Sequence, residues 1–304
     1  MNYKDQLIQI LEAGNLTQEQ LAQELGVAFS TLNAWKRGRA NPRKGALEKI
    51  NRLYLSILGS ESVDDRILSE TVLQATNLKL TAEDIIENKY ALDQLTLHLT
   101  YHTNTIEGST MTLADVEEVL FDHKLLSNRT AVEQTEARNH QAALNWILDS
   151  IAKDPVFVIN EEFIKGIHLR LMNGIISDAG TYRVHSVRIQ GSRTTVSNYL
   201  KIGDLMSLMV DTIEQDNKDI IYKIAKIHAD FEKIHPFSDG NGRTGRLIML
   251  TMALLAKLTP PIILKERKQA YYKYLEFAQM DDNIVPLKMF IAESIITTHD
   301  LLSR

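Results

Sequence analysis

Residues 235–246 read His-Pro-Phe-Ser-Asp-Gly-Asn-Gly-Arg-Thr-Gly-Arg and bring together four kinds of group that act on phosphates. The histidine can accept a proton near neutral pH, and the aspartate can hold a cation. The glycines leave backbone amides bare, and the two arginines supply fixed positive charge. This combination is typical of nucleotidyl or phosphoryl transfer to a hydroxyl, with His235 as the general base.

The segment lies between two predicted helices. Apolar residues from Ile221 to Ile234 recur at the spacing of one helix face, so a helix should precede the segment. Pro236 should push His235 toward extended geometry and end that helix nearby. Residues 247–256 are apolar on nearly every face, as in a buried central helix. The N-terminus of this second helix should attract an anion, because its free amides and its dipole favour negative charge.

Each polar residue of the segment suits a role beside a phosphate. Gly240 and Gly242 can curl the backbone amides into a concave nest. Arg243 and Arg246 are three residues apart and share a helix face, from which both can grip phosphates. Asp239 would repel a phosphate, and a magnesium ion between the two resolves that conflict.

Parts of the segment also have other interpretations. The stretch Asp-Gly-Asn-Gly alone is usually a turn. His235 and Asp239 could ligate a metal, but no cysteine and no second histidine at zinc spacing accompanies them. The lysine and the Ser/Thr of a Walker A loop are missing, which excludes that motif.

The segment matches the signature of the Fic family, His-Pro-Phe-x-Asp-Gly-Asn-Gly-Arg-x-x-Arg, at every fixed position, and the resemblance covers roughly residues 65–300. It implies transfer of AMP from ATP to a hydroxyl side chain of a target protein. It also implies that His235 deprotonates this hydroxyl and that Asp239 holds Mg²⁺. The other implied roles are loop anchoring by Phe237, binding of the α- and β-phosphates by Asn241 and the amides around Gly240 and Gly242, contact with the β-phosphate by Arg243, and contact with the γ-phosphate by Arg246.

Residues 180–191 place β-prone Val184, Val187 and Ile189 among polar residues, which predicts a short exposed hairpin. The stretch resembles the Fic flap, which pairs with the target's backbone and aligns its hydroxyl. Strand addition needs no particular side chain, so the sequence does not name the target. An ordinary surface hairpin is the alternative. The implied target-docking residues are Val187, Arg188, Ile189, Gln190 and Gly191.

Residues 103–108, Thr-Asn-Thr-Ile-Glu-Gly, match the inhibitory motif of the Fic family, Ser/Thr-x-x-x-Glu-Gly/Asn, through Thr103, Glu107 and Gly108. The resemblance implies that Glu107 pairs with Arg246 and withholds this arginine from the γ-phosphate. This pairing is electrostatically plausible, because a carboxylate and a phosphate bind the same donor groups of a guanidinium and therefore compete for it. A glutamate at a helix end before a glycine cap is the alternative.

Residues 1–57 predict a helix-turn-helix domain. Thr17 precedes Gln20 by three residues, a capping-box spacing, and Gly26 separates two short helical patterns. The stretch resembles the lambda-repressor-like (XRE-type) helix-turn-helix family, which implies DNA binding on paired half-sites and therefore a homodimer or higher oligomer. A small helical interaction domain with a solvated basic edge is the alternative. The predicted DNA-binding residues are Ser30, Thr31, Asn33, Lys36 and Arg37. Of these, Lys36 and Arg37 form a basic cluster with Arg39, Arg43 and Lys44, which suits contacts with phosphates.

The rest of the chain predicts an all-α fold: a Fic helical bundle with a short β-hairpin flap, preceded by the small helix-turn-helix domain. Residues 58–64 are the predicted linker, and residues 65–304 the Fic domain. Tyr271 and Tyr274 are candidates for an adenine pocket, with core packing as the alternative. Helices are predicted over residues 80–100, 112–122, 131–151, 161–173, 203–215, 265–278 and 287–302, with the inhibitory helix at 98–109 and the flap at 182–192.

The composition adds exclusions. The chain has 304 residues, a formal net charge of −5 and no cysteine, so disulfide and thiol chemistry are excluded. The N-terminus lacks the pattern of a signal peptide, and no apolar run is long enough to span a membrane. These features predict a cytoplasmic protein without a membrane partner.

The sequence thus predicts a protein adenylyltransferase that uses ATP and Mg²⁺, modifies a Tyr, Thr or Ser hydroxyl of another protein or of itself, and is held in check by Glu107. Removal of AMP from a modified protein is the main rival, with Glu107 orienting a hydrolytic water. UTP or a phosphocholine donor could replace ATP. A DNA-binding regulator that only senses nucleotide is the rival from another class.

Overall fold

The computed structural model describes residues 2–14, 16–59, 63–154, 156–189 and 193–303. The all-α class is confirmed: these residues form helices and no strand, and their one isolated β-bridge joins Lys79 to Leu258. The helices are α1 (Tyr3–Ala13), α2 (Gln18–Leu25), α3 (Phe29–Lys36), α4 (Lys44–Leu58), α5 (Asp65–Asn77), α6 (Ala82–Glu87), α7 (Lys89–Ile106), α8 (Leu113–Leu120), α9 (Ala131–Lys153), α10 (Glu161–Met172), α11 (Ile202–Glu214), α12 (Ile220–Ile234), α13 (Asn241–Leu255), α14 (Lys268–Met280) and α15 (Val285–Leu302), with short 3₁₀ turns at Tyr199–Lys201 and Lys265–Arg267.

The first four helices form a small domain with its own core. The expected capping box is present: the Gln20 N–H donates to the Thr17 hydroxyl oxygen at 3.2 Å, and the Thr17 N–H donates to the Gln20 side chain at 2.7 Å. Gly26 then ends α2 with a φ of 68°. The predicted linker follows α4, but its residues 60–62 lie outside the described residues. The core of this domain consists of Leu7, Ile10, Leu21, Ala22, Leu25, Leu32, Trp35, Ile50 and Ile57.

Helix α13 is buried among the remaining helices. Its residues from Leu247 to Leu254 are all buried, as a helix that is apolar on every face requires. The helix begins at Asn241, six residues before the predicted apolar run, so that Arg243 and Arg246 belong to its first two turns. Helices α7, α9, α10 and α12 pack against it. The buried helix therefore carries the charged end of the 235–246 segment into the core.

The helix predicted over residues 80–100 is wrong in its bounds. The helical conformation is interrupted at Asn88, which separates α6 from α7. The Asn88 side chain accepts a hydrogen bond from the Ala91 N–H at 3.2 Å and caps the N-terminus of α7. Helix α7 then continues to Ile106, so the inhibitory motif forms its C-terminal end. The spacing of apolar residues continues from α6 into α7, so it did not indicate the interruption at Asn88.

The β-hairpin predicted in the flap is not formed by the described residues of this segment. Residues 182–189 and 193–198 carry no strand. Hydrogen bonds from one buried side chain connect the two sides of the segment instead of hydrogen bonds between strands. The Arg183 guanidinium donates to the carbonyls of His185 and Ser197 at 2.7 Å each. The ends of the flap are thus tied by an arginine, because its fork can satisfy several carbonyls at once.

No helix in the described part of the chain is long and apolar enough to cross a membrane.

Candidate active site

A cavity of about 920 Å³ opens where the N-terminus of α13 meets α7, α12, α14 and the flap. Its wall contains residues from three separate sequence predictions. These are the catalytic segment, the inhibitory motif and the flap, which lie far apart in the chain and come together here. The wall residues from these motifs are His235, Asp239, Gly240, Asn241, Gly242, Arg246, Glu107, Val187, Arg188 and Ile189.

His235 follows the last residue of α12, as expected, but its backbone is left-handed rather than extended, with φ 51° and ψ 61°. Its Nδ1 lies 3.2 Å from the Glu232 carbonyl oxygen and donates to it, which leaves the lone pair on Nε2. Burial lowers the pKa of His235, and the Glu232 carbonyl only partly offsets this. The imidazole is therefore neutral at neutral pH and can accept a proton.

The loop after His235 is fixed by two residues. Phe237 is fully buried and stacks on the ring of His168 at 3.7 Å with an interplanar angle of 4°. Asn241 closes the loop because its side chain accepts from the Phe237 N–H at 2.9 Å and donates to the Phe237 carbonyl at 2.8 Å. The side-chain amide of Asn241 is thus committed to the loop, which leaves its backbone N–H for the phosphate contact that the sequence predicts.

His168 was not singled out by the sequence. Its Nδ1 accepts from the Gly180 N–H at 2.8 Å, and its Nε2 therefore donates to the Asp239 carbonyl at 2.9 Å. Burial lowers the pKa of His168 to about 4, so it is a neutral bridge that joins α10, the flap and the loop.

The first turn of α13 has the features of an anion site. Its N-cap residue, Gly240, has a φ of 74°, and no side chain caps the helix. The first amides of a helix lack intrahelical partners, and with the helix dipole they favour an anion. Of the two glycines predicted to form a nest, Gly240 has a positive φ, whereas Gly242 is helical, and the Gly240 N–H donates to Asp239 Oδ1 at 2.6 Å.

Glu107 occupies this end of the cavity. Its Oε1 accepts a hydrogen bond from Arg246 Nη2 at 2.5 Å, and the Thr103 carbonyl is 3.4 Å from the same nitrogen. A Cβ on Gly242 would overlap with Glu107 Oε1, so glycine is needed for this close approach. Gly108 follows with a φ of 110° and ends α7. The carboxylate lies where an anion bound by the helix would lie.

The pair joins a buried cation to a partly open anion. The Arg246 side chain is 2% exposed and that of Glu107 is 31% exposed. Burial alone would raise the pKa of Glu107, but the charge and the hydrogen bond of Arg246 outweigh it and hold this pKa below its ordinary value. Burial opposes the charge of Arg246, and Glu107 overcomes that and raises its pKa. Each group keeps the other ionised.

Comparisons with known proteins identify the families to which parts of this chain are similar. Residues 158–253 match the Fic/DOC family, and residues 7–54 match a helix-turn-helix family. The chain is 31% identical over 205 residues to "Protein adenylyltransferase Fic" of Culex quinquefasciatus, a match that covers 66% of this chain and 40% of the relative. It is 28% identical over 245 residues to the protein of the same name in Drosophila ananassae, covering 79% and 48%. The chain thus spans less than half the length of these curated relatives.

Solved structures of Fic proteins share the fold. A fragment of Fic-1 from C. elegans superposes with a TM-score of 0.66 at 21% identity, covering 97% of this chain and 86% of that one. A Fic domain containing signaling protein from Bacteroides thetaiotaomicron has a TM-score of 0.63 at 20% identity, covering 78% and 94%.

This chain carries a Fic/DOC domain. A helix-turn-helix domain precedes it.

Arg243 of the Fic domain is not on the cavity wall. Its Nη1 donates to Glu136 Oε1 on α9 at 2.5 Å, and its side chain is 5% exposed. The predicted contact with a β-phosphate would therefore require Arg243 to leave Glu136. As the structure stands, this ion pair fastens the first turn of α13 to α9.

Asp239 lies at the open edge of the cavity, with a side chain that is 64% exposed and 3.7 Å from Arg243 Nη2. No group of three or more metal-ligating side chains occurs in the described part of the chain. One carboxylate beside a phosphate site fits a magnesium ion that takes its other ligands from the phosphates and from water.

The two predicted adenine-pocket tyrosines lie in different places. Tyr271 is on the cavity wall, but it is 1% exposed and its hydroxyl lies 2.7 Å from His228 Nε2. Tyr274 is not on the wall and packs edge-on against Phe290 with ring centroids 5.6 Å apart. The neighbouring Tyr272, which no sequence motif marks, lines the cavity with 40% of its surface exposed.

The flap contributes Val187, Arg188 and Ile189 to the cavity wall. The predicted docking residues Gln190 and Gly191 lie outside the described residues. Arg183 anchors the flap beside the general base, because its Nε donates to the His235 carbonyl at 2.7 Å. On the C-terminal side of the flap, Arg193 Nε donates to Glu276 of α14 at 2.8 Å.

The predicted DNA-binding residues lie on α3 and just after it. Leu32 and Trp35 point into the domain core, while Ser30 and Arg37 are exposed. Thr31, Asn33 and Lys36 are half-buried. The outward side of α3 thus carries polar residues and Lys36, together with the exposed Phe29 at its start.

Glu232 is a buried carboxyl on the cavity wall that no sequence motif marks. Its Oε2 is 3.9 Å from His235 Nδ1, and its Oε1 has no hydrogen-bond partner. Burial raises the pKa of Glu232 to about 8, against the opposing charge of Arg246. The group is therefore a neutral acid at neutral pH.

Replacement of Glu232 by Gln should remove a pH-dependent loss of stability. The folded protein holds a proton on Glu232 that the unfolded chain releases above about pH 4.5, so its stability falls as pH rises from there to about 8. The slope from this group is at most about 1.4 kcal/mol per pH unit. Urea unfolding should find Glu232→Gln more stable than the parent at pH 8 and little different at pH 5.

The matched control is Glu83→Gln, at an exposed glutamate on α6. A stability difference between Glu232→Gln and the parent that is the same at both pH values would contradict the assignment of a buried, protonated carboxyl.

Proposed function

We propose that this chain is a protein adenylyltransferase that moves AMP from ATP to the hydroxyl of a Tyr, Thr or Ser side chain. One observation carries the proposal: a neutral His235 and the N-terminus of α13, which no side chain caps, line one cavity of about 920 Å³. A base and an anion site in one cavity are what transfer of a phosphoryl group to a hydroxyl needs. The curated relatives that it resembles carry the name of this activity.

In the proposed step, the target hydroxyl oxygen attacks the α-phosphorus of ATP. The hydroxyl proton passes to His235 Nε2, which carries the lone pair. The bond between the α-phosphorus and the bridging oxygen to the β-phosphate breaks, and pyrophosphate leaves. The amides of the first turn of α13 would stabilise the charge that develops on the phosphate oxygens, while the Gly240 N–H is held by Asp239 Oδ1 at 2.6 Å.

Asp239 would hold the magnesium ion, which neutralises phosphate charge when bound. Its carboxylate is exposed at the cavity edge beside the anion site. Phe237 and Asn241 contribute by fixing the loop, and Arg246 contributes a cation for the terminal phosphate.

Glu107 would restrain the enzyme. Its carboxylate holds Arg246 at 2.5 Å and lies against Gly242, so a γ-phosphate cannot take the same position. Departure of Glu107 would leave Arg246 buried without an anion, and the γ-phosphate would supply one.

The flap would dock the target. Val187, Arg188 and Ile189 line the cavity, and the described flap residues form no strand that would use up their backbone groups. An added strand from the target would pair with this backbone and bring its hydroxyl to His235. The target is another protein or a second copy of this chain.

The full chain should incorporate label from α-labelled ATP and Mg²⁺ into protein. We expect Glu107→Gly to raise the initial rate at least about tenfold, because Arg246 then becomes free to bind the γ-phosphate. Adding His235→Ala to Glu107→Gly should lower the rate by about a hundredfold or more, the typical contribution of a general base. Labelled protein separated by electrophoresis gives both rates.

Glu87→Gly is the matched control, since Glu87 is an exposed glutamate at the end of the neighbouring helix α6. No label in any variant, self-modification included, would overturn the proposal. If Glu107→Gly instead lost the ability to release AMP from a modified protein, Glu107 would act on a hydrolytic water and the rival activity would be correct. Competition by UTP and by a phosphocholine donor tests the choice of donor.

We also propose that residues 1–57 bind duplex DNA as part of a dimer, while residues 65–304 form the transferase unit. The match to a helix-turn-helix family and the presence of Lys36 on the outward side of α3 support this. A cytoplasmic location stays a prediction, and it agrees with ATP and DNA as ligands.

Lys36→Glu should weaken binding to a mixed-sequence DNA duplex and reduce the salt dependence of binding by about one unit of log–log slope, because one phosphate contact is lost. Fluorescence anisotropy at several salt concentrations measures both quantities. Lys218→Glu, in an exposed loop of the Fic domain, makes the same charge change elsewhere. Equal slopes for the two variants would remove Lys36 from the interface, and no binding by the parent at low salt would refute DNA binding.

A further inference from the structure

Two residues of the cavity wall come from the helix-turn-helix domain. Tyr54 and Leu58 lie on α4, the last helix of this domain, and both line the cavity that contains His235 and Arg246. The Fic domain therefore does not enclose the cavity by itself. A domain expected to bind DNA supplies part of the wall.

The end of α4 is fastened to the Fic domain. Arg267 Nε donates to the Ser56 carbonyl at 3.1 Å, and the same guanidinium donates to Glu293 on α15 at 2.5 Å. Gly59 lies against the ring of Tyr274, where a Cβ would come within 3.0 Å of Cε1. Helix α4 also packs along α14, which provides much of the cavity wall. The position of Tyr54 is thus set by contacts on both sides of the domain boundary.

The side chains and amides of the wall indicate where the phosphates and the base of a nucleotide would bind. The first turn of α13 and Arg246 take phosphates, so the base must lie farther along the wall. Nucleotide bases bind well against aromatic side chains. Among the tyrosines of the wall, Tyr271 is 1% exposed and its hydroxyl lies within hydrogen-bond distance of His228, whereas Tyr54 and Tyr272 keep open surface.

We infer that Tyr54 contacts the base of the bound nucleotide, with Leu58 beside it, so that the helix-turn-helix domain completes the nucleotide pocket. This inference rests on the proposed nucleotide binding of the Fic domain. Its consequence follows from the position of Tyr54 on α4, which also carries Ile50 and Ile57 of the N-terminal core. A nucleotide that contacts both domains strengthens their docking. A ligand that displaces α4 would weaken nucleotide binding, and the nucleotide would weaken the binding of that ligand by the same factor.

The test uses the full chain with Glu107→Gly and His235→Ala, in which Arg246 is accessible and transfer is blocked. Isothermal titration calorimetry measures the binding of MgATP and of magnesium tripolyphosphate, which lacks the base and sugar. Tyr54→Ala should weaken MgATP binding by about tenfold or more, the usual effect of losing an aromatic contact to a base. It should leave tripolyphosphate binding unchanged, and Tyr54→Phe should restore MgATP binding.

Leu55→Ala is the matched control, because Leu55 is the next residue on α4, is 37% exposed and does not line the cavity. Equal MgATP affinity for Tyr54→Ala and the background would overturn the inference while leaving the proposed function intact. Equal losses for MgATP and tripolyphosphate would overturn it too, because the effect would then be structural. If the background binds neither ligand, the proposed function fails and the inference fails with it.

Discussion

The ion pair between Glu107 and Arg246 is the interaction on which the site depends. Arg246 is 2% exposed and directly precedes the buried run from Leu247 to Leu254, and a buried guanidinium needs an anion. The carboxylate of Glu107 meets that need at 2.5 Å and also lies against the first turn of α13. A phosphate could meet the same need with similar geometry. Regulation in this account is therefore an exchange of one anion for another at a fixed cation.

The parts around this exchange are held by contacts that do not involve the exchanging anion. Phe237 stacks on a neutral His168, and Asn241 bonds the loop backbone on both sides. Arg183 ties the flap to the His235 carbonyl. Since none of these contacts uses Glu107, its departure leaves the loop, the base and the flap in place. A preformed site of this kind needs no reorganisation when charge develops on the substrate.

The local features could be predicted from the sequence, and the long-range partners could not. The loop between two helices, the capping box at Thr17 and the pairing of Glu107 with Arg246 followed from short motifs with a clear physical role. The partner of Arg243 did not, because Glu136 lies 107 residues away on a helix whose pattern shows only which face is buried. Tyr54 was missed for a related reason, since nothing in α4 marks which surface of another domain it will face. The flap was expected to pair with itself, but a single arginine holds its ends instead.

The discrimination between ATP and ADP tests the central claim most directly, because only ATP has the γ-phosphate that would replace Glu107. Dissociation constants of both nucleotides with Mg²⁺ should be measured for the parent and for Glu107→Gly. The account predicts nearly equal affinities for ATP and ADP in the parent, where Arg246 is occupied. In Glu107→Gly it predicts a preference for ATP of about tenfold or more, the usual gain from a charge-assisted arginine–phosphate contact. The same ATP to ADP ratio in both proteins would contradict the exchange at Arg246.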